Sequence, residues 1–138
     1  MGTSQILMIV LSVLVVGAAI VVGIQMFDTI SNNNIKLALT SDIMQHAVQA
    51  QAWFRTPEVA GGSPPAGVTA ENLPIMVNYI SHSSTGLVIQ NPHGHFVFSG
   101  SGYEITIEAT STQNSNITVI GRVDLRGQGN NIGITIEF

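Results

Sequence analysis

QILMIVLSVLVVGAAIVVGIQMF, residues 5–27, decides how this chain is built. After Gln5 come about twenty nearly unbroken Ile, Leu, Val, Met, Ala and Gly residues, and the first ionisable side chain is Asp28. A stretch of roughly 20 apolar residues is the length that crosses a bilayer core as a helix. It exceeds the apolar core of a signal peptide, and no basic segment stands before it. A membrane-spanning helix is therefore expected. Orientation is normally written in Lys and Arg beside the span, yet the first of these is Lys36. The start is not an N-myristoylation pattern either, since that needs Ser or Thr where Ile6 stands.

The helical pattern continues beyond Asp28. Ile35, Leu39, Ile43, Ala47, Ala50 and Phe54 recur at spacings of three and four, one face of a helix. Trp53 falls beside that face, and Pro57 stops the helix because it disfavours helical geometry in the residue before it. Ser31-Asn32-Asn33-Asn34 has poor helix propensity. Even so, one helix from about residue 3 to 55 is expected, bent locally and on the order of 80 Å long. Residues 1–27 form a half that is apolar all round. Residues 28–55 form a half with one apolar stripe, which needs an element to cover it.

Residues 56–94 read as a connecting region. The loop from Pro57 to Gly67 has too much Pro and Gly for regular structure. Asn72 then reads as the N-cap of a short helix carrying Leu73, Met76, Val77 and Ile80, with Pro74 in its first turn; a strand is the competing reading there. SHSSTGLVIQNPHG, residues 81–94, reads as an irregular connection with two apolar contacts, Leu87 and Ile89. From residue 95 to 138 the period changes to two. Phe96 and Phe98; Tyr103, Ile105, Ile107 and Ala109; Ile117, Val119, Val123 and Leu125; and Ile132, Ile134, Ile136 and Phe138 each share a face. Such alternation predicts four antiparallel strands with one buried and one wet face. The fold class is α+β, a long amino-terminal helix packed on a four-stranded antiparallel sheet. Ile35, Leu39, Ile43, Ala50 and Phe54 are the expected helix–sheet contacts.

Composition removes several function classes. The chain has 138 residues, 45% hydrophobic and 9% charged, with a formal net charge of −4. That balance gives no electrostatic footprint for nucleic acid. Cysteine is absent, so neither disulfides nor thiolate metal sites are available. His93 and His95 stand two apart with His82 upstream. Two or three imidazoles can bind a transition metal, but a turn that contains histidines explains the spacing as well, and no metal or cofactor is expected. So few charged residues assemble no nucleophile, base and orienting group, and no enzyme is expected. Asn116-Ile117-Thr118 matches a glycosylation sequon, which makes Asn116 a candidate acceptor.

The plan of the chain resembles a bacterial type IV pilin. Leu7-Met8-Ile9-Val10, Gly17-Ala18-Ala19 and Ile24-Gln25 fall in the register of a mature pilin start, and Asn91-Pro92-His93-Gly94 is similar to the Asn-Pro-x-Gly turn that precedes the sheet in type IVb-like pilins and pseudopilins. The resemblance implies a basic leader removed by a dedicated peptidase, which would explain the uncharged start and make Met1 the processed and methylated residue. The chain departs from the family at Gln5, where most members carry a glutamate that neutralises the amino terminus of a neighbouring subunit. Gln5 keeps an acceptor oxygen for an inter-subunit amine but cannot neutralise charge. There is also no proline near position 22 and no carboxy-terminal disulfide loop.

What the resemblance implies is a structural subunit of an extracellular helical filament, held in the inner membrane until it polymerises, with roles in adhesion, motility or uptake. Ile6, Leu7, Met8, Val10, Leu11, Leu14, Gly17, Ala18, Ile20 and Gly23 would pack the filament core against other copies. The implied partners are further copies of the chain, a prepilin peptidase, a platform membrane protein and an assembly ATPase. A type II secretion pseudopilin or a minor tip pilin is the alternative that Gln5 keeps open. A membrane-anchored extracytoplasmic binding module, with the first helix as a tether, is the alternative of another class.

Overall fold

A computed structural model of the chain describes residues 2–81 and 85–126, and the backbone of 135–137. Met1, His82, Ile132, Ile134, Phe138 and most of the turn expected around residues 126–131 lie outside the described residues. Helix α1 runs without interruption from Gly2 to Arg55. Ser31–Asn34 is helical throughout. Propensity is a weak prior, worth at most about 0.7 kcal/mol per residue for Asn or Ser. Breaking the helix there would create two new ends, each with four backbone groups to satisfy, and a second costly nucleation.

By its contacts the chain divides into two units, Met1–Asn34 and Ile35–Phe138. The change of composition noted in the sequence falls earlier, after Phe27. In the first unit, residues 2–30 are exposed on every side of the helix. Two of its hydroxyls are satisfied within the helix: Ser12 Oγ donates to the Met8 carbonyl at 2.7 Å and Thr29 Oγ1 to the Gln25 carbonyl at 2.9 Å.

The second unit holds the buried core. Its sheet is an antiparallel meander in the order β1-β2-β3-β4-β5: β1 Val88–Gln90, β2 Gly94–Ser101, β3 Glu104–Ser111, β4 Thr118–Asp124 and β5 Thr135–Glu137. The four strands expected from the alternation are all present. The short edge strand β1 is additional, and it corrects the reading of residues 81–94 as irregular. Val88-Ile89-Gln90 is too short to show a period, but Ile89 is buried and pairs with Phe96. Asn91-Pro92-His93-Gly94 consequently joins β1 to β2, where the resemblance had it precede the sheet.

Cross-strand register lays three rows on the inner face: Phe96, Ala109 and Val119; Phe98, Ile107 and Gly121; Gly100, Ile105 and Val123. Each row carries a small residue, which lets a helix approach. A Cβ on Gly121 would lie 2.4 Å from Ile43 Cγ2, and one on Gly94 would lie 2.9 Å from Leu39 Cδ2. Leu39, Ile43, Ala47 and Ala50 of α1 are fully buried, as the stripe predicts, while Ile35 and Phe54 are half-buried at the rim of the core.

Trp53 is fully buried, where the sequence placed it only beside the stripe. It lies fourteen residues from Leu39, roughly 40° around the axis at 3.6 residues per turn, inside a stripe of ordinary width. Its indole N–H donates to the Gly61 carbonyl at 3.1 Å and so ties the loop after Pro57 to the helix. That loop contains one 3-10 turn, Glu58–Ala60, closed by Gly61 at φ 84°, in the left-handed region.

Helix α2, Leu73–Ile80, carries Pro74 in its first turn and buries Leu73, Met76 and Val77. Asn72 does not cap it through its side chain. Its Oδ1 accepts from the Thr69 N–H at 2.7 Å and its Nδ2 donates to the Gly67 carbonyl at 2.9 Å. Asn72 is thus the N-cap by position, its carbonyl accepting from the Met76 N–H at 3.0 Å, while its side chain braces the preceding turn.

Candidate functional site

The residues expected to pack a filament core all lie in the first unit. In the first unit Ile6, Leu7, Met8, Val10, Leu11, Leu14 and Ile20 are all exposed, between 51% and 74%. A Cβ added at Gly17 or Gly23 would meet nothing within 4 Å. The helix is long and apolar enough to cross a membrane by length and composition. Gln5 and Gln25 make no side-chain hydrogen bond among the described residues. An amide buried in an apolar medium without a partner costs several kcal/mol on hydrocarbon scales, about 4–8, so both need donors or acceptors from outside the chain once this segment is covered.

A second surface was not foreseen. Leu37, Met44 and Val48 are exposed at 70%, 49% and 53%. Their spacing of seven and four residues puts them on one face, roughly 120° around the axis from the Leu39–Ala50 stripe at 100° per residue. The second half of α1 is thus apolar on two faces, which corrects the single-stripe reading. The signal was present in the sequence, but Lys36, Ser41 and Gln45 interleave with it and blur the pattern.

Within the second unit the helix is clamped to the β1–β2 turn. Asp42 Oδ2 accepts from Asn91 Nδ2 at 2.9 Å and from His93 Nδ1 at 2.7 Å. Asn91 Oδ1 in turn accepts from the backbone N–H groups of His93 and Gly94, both at 2.9 Å. His93 is therefore a strut between turn and helix. His95 lies on β2, opposite Gln90 and Thr110. No three His, Asp or Glu side chains among the described residues converge on a common point.

One turn further along α1, His46 sits edge-on to Phe96 and Phe98, with ring centroids 5.0 and 6.0 Å away. Neither ring nitrogen has a hydrogen-bond partner. Burial lowers its pKa from the ordinary value near 6.5, and the Asp42 charge and neighbouring Gln49 only partly oppose this; Gln49 does not reach hydrogen-bond geometry with either nitrogen. The unfolded chain takes up a proton near pH 6.5 while folded His46 stays neutral to lower pH. Between those two values the unfolded state binds more protons, so stability falls as pH drops through 6.5 and levels off below the folded pKa. His46→Phe should flatten this dependence, read as the urea midpoint between pH 7.5 and 5. An unchanged slope would show that His46 is not its source.

Asn116 is exposed at the end of the turn joining β3 to β4, its N–H donating to Asn114 Oδ1 at 3.1 Å, with Ile117 buried behind it. Trp53 and Phe54 act as anchors: Trp53 within the core, Phe54 through an edge-on contact with Tyr103 at 5.8 Å.

No protein-family model matches this chain, and neither a curated protein nor a solved structure does so significantly.

Proposed function

We propose that the chain is the structural subunit of a type IV pilus-like helical filament. The observation that carries this reading is the exposed apolar row Leu37, Met44 and Val48, added to a preceding segment that is apolar on every side. A lipid tether accounts for residues 2–30 and leaves the row in water without a role. Head-to-tail association of copies covers both surfaces, and such heterologous contacts need not close, so they extend into a fibre. Within the filament the segment exchanges lipid for other helices, and close packing then sets much of the preference. Gly17 and Ala18 are where helices approach most closely. Before assembly the same segment holds the subunit in the inner membrane. Its partners are further copies, a prepilin peptidase, a platform membrane protein and an assembly ATPase. The seat of adhesion, motility or uptake is the filament surface.

The test uses Gly17→Leu. Wild-type cells should yield sheared surface filaments containing this chain, and the variant should lower that yield at least ten-fold with the membrane-held amount unchanged. Normal filament abundance in the variant, or no filament containing the wild-type chain, sinks the reading in favour of a tether.

A further inference from the structure

Charge is scarce in this protein, four basic and eight acidic residues in all. Two of the basic and two of the acidic side chains nonetheless line one open cleft of about 480 Å³, formed where β3 and β4 run past the Tyr103 corner. Arg122 and Asp124 on β4 and Glu104 on β3 are all exposed there. Glu104 and Asp124 are directly opposite in register. Like charges so placed are destabilising in a sheet on their own, and the two guanidinium groups of the same cleft stand beside them. The remaining cation is fixed in place: the Arg126 guanidinium lies 3.6 Å above the Tyr103 ring, and its backbone N–H donates to Asp124 Oδ1 at 2.9 Å. Tyr103 is itself held by Phe54 and by its hydroxyl, which donates to the Pro65 carbonyl at 3.1 Å. Preorganised donors and acceptors in a cleft mark binding sites more often than solvated surface does.

We infer that this cleft binds a neutral saccharide. The balance of charges selects the class. A polyanion would meet Glu104 and Asp124, and a cation would meet two guanidinium groups. A sugar hydroxyl both donates and accepts, so adjacent hydroxyls satisfy a carboxylate and a guanidinium together, and the Arg fork suits such paired contacts. The apolar part of the lining that reaches the cleft is the half-buried Tyr103 ring, one face of which carries Arg126, while Val123 is fully buried in the core. The site belongs to the second unit alone and does not depend on whether the chain polymerises.

The test is retention of the full-length chain, in detergent, on immobilised glucose-, galactose- and mannose-terminated oligosaccharides, with sialylated and sulfated glycans as anionic arms. Retention on a neutral glycan should weaken at least ten-fold in Arg126→Ala and in Glu104→Gln, with the unfolding midpoint of each variant unchanged. Asp124→Asn, which keeps the acceptor for the Arg126 N–H, should weaken it as well. Absence of neutral-glycan retention overturns the inference. So does retention confined to the anionic arms, or retention that all three variants leave intact.

Discussion

Gly121→Val should cost the second unit about 3 kcal/mol or more, the upper part of the range for overpacking a tight core. The effect is large because the first added carbon already lies 2.4 Å from Ile43 Cγ2. Ile43 is fully buried, and a β-branched side chain in a helix has essentially one rotamer with which to respond. Either α1 lifts off the sheet or the Phe98, Ile107 and Gly121 row distorts. Gly121→Ala tests the same contact more gently, at about 2 kcal/mol. Pairing it with Ile43→Ala, which removes the opposing methyl, should recover part of that loss. In a double-mutant cycle on urea midpoints the two changes should be less than additive by about 1 kcal/mol. Strict additivity would mean that the helix does not rest on Gly121.

The same contact shows what the sequence made legible and what it hid. The apolar stripe from Ile35 to Phe54 and the alternation in β2, β3 and β4 announced two surfaces that must cover each other, because each is incomplete alone. Where they touch was not announced, since Gly121 reads as a gap in a strand until a partner fills it. Edge strand β1 was hidden for a related reason: three residues show no period, and Ile89 becomes core only once β2 lies beside it. Asn72 carried a capping residue type in a capping position, and a local turn with Thr69 and Gly67 took its side chain first. The exposed apolar helix of the first unit was readable because an unbroken apolar run needs no partner to be recognised. Asp42, Asn91, His93 and His46 were not, because their grouping depends on how the β1–β2 turn folds back on α1. The row at Leu37, Met44 and Val48 lay in plain view, but a face that nothing in the chain covers looks in sequence like noise on a polar surface.

Removing residues 1–33 should convert the protein from one that needs detergent into one that remains folded in water. Every buried residue of α1 lies at or beyond Leu39, and the core of the second unit runs from Leu39 to Leu125 without a member before it. The deleted segment buries nothing within the chain. It exposes more than a dozen large apolar side chains, each worth roughly 1.5–3 kcal/mol if moved from water to an apolar environment. That sum opposes any soluble monomer of the full chain and disappears with the deletion. Asn34, now the first residue, is a favourable N-cap for the shortened helix. Circular dichroism should retain the sheet signal and a cooperative thermal transition, and sedimentation should give mostly monomer. Weak self-association should persist at high concentration through Leu37, Met44 and Val48, and Val48→Lys should abolish it. Loss of cooperative folding would mean that the sheet unit depends on the helix before Ile35. A strictly monomeric shortened chain at every concentration would leave the Leu37–Val48 row without a partner of its own kind, and would return the protein to the tethered reading.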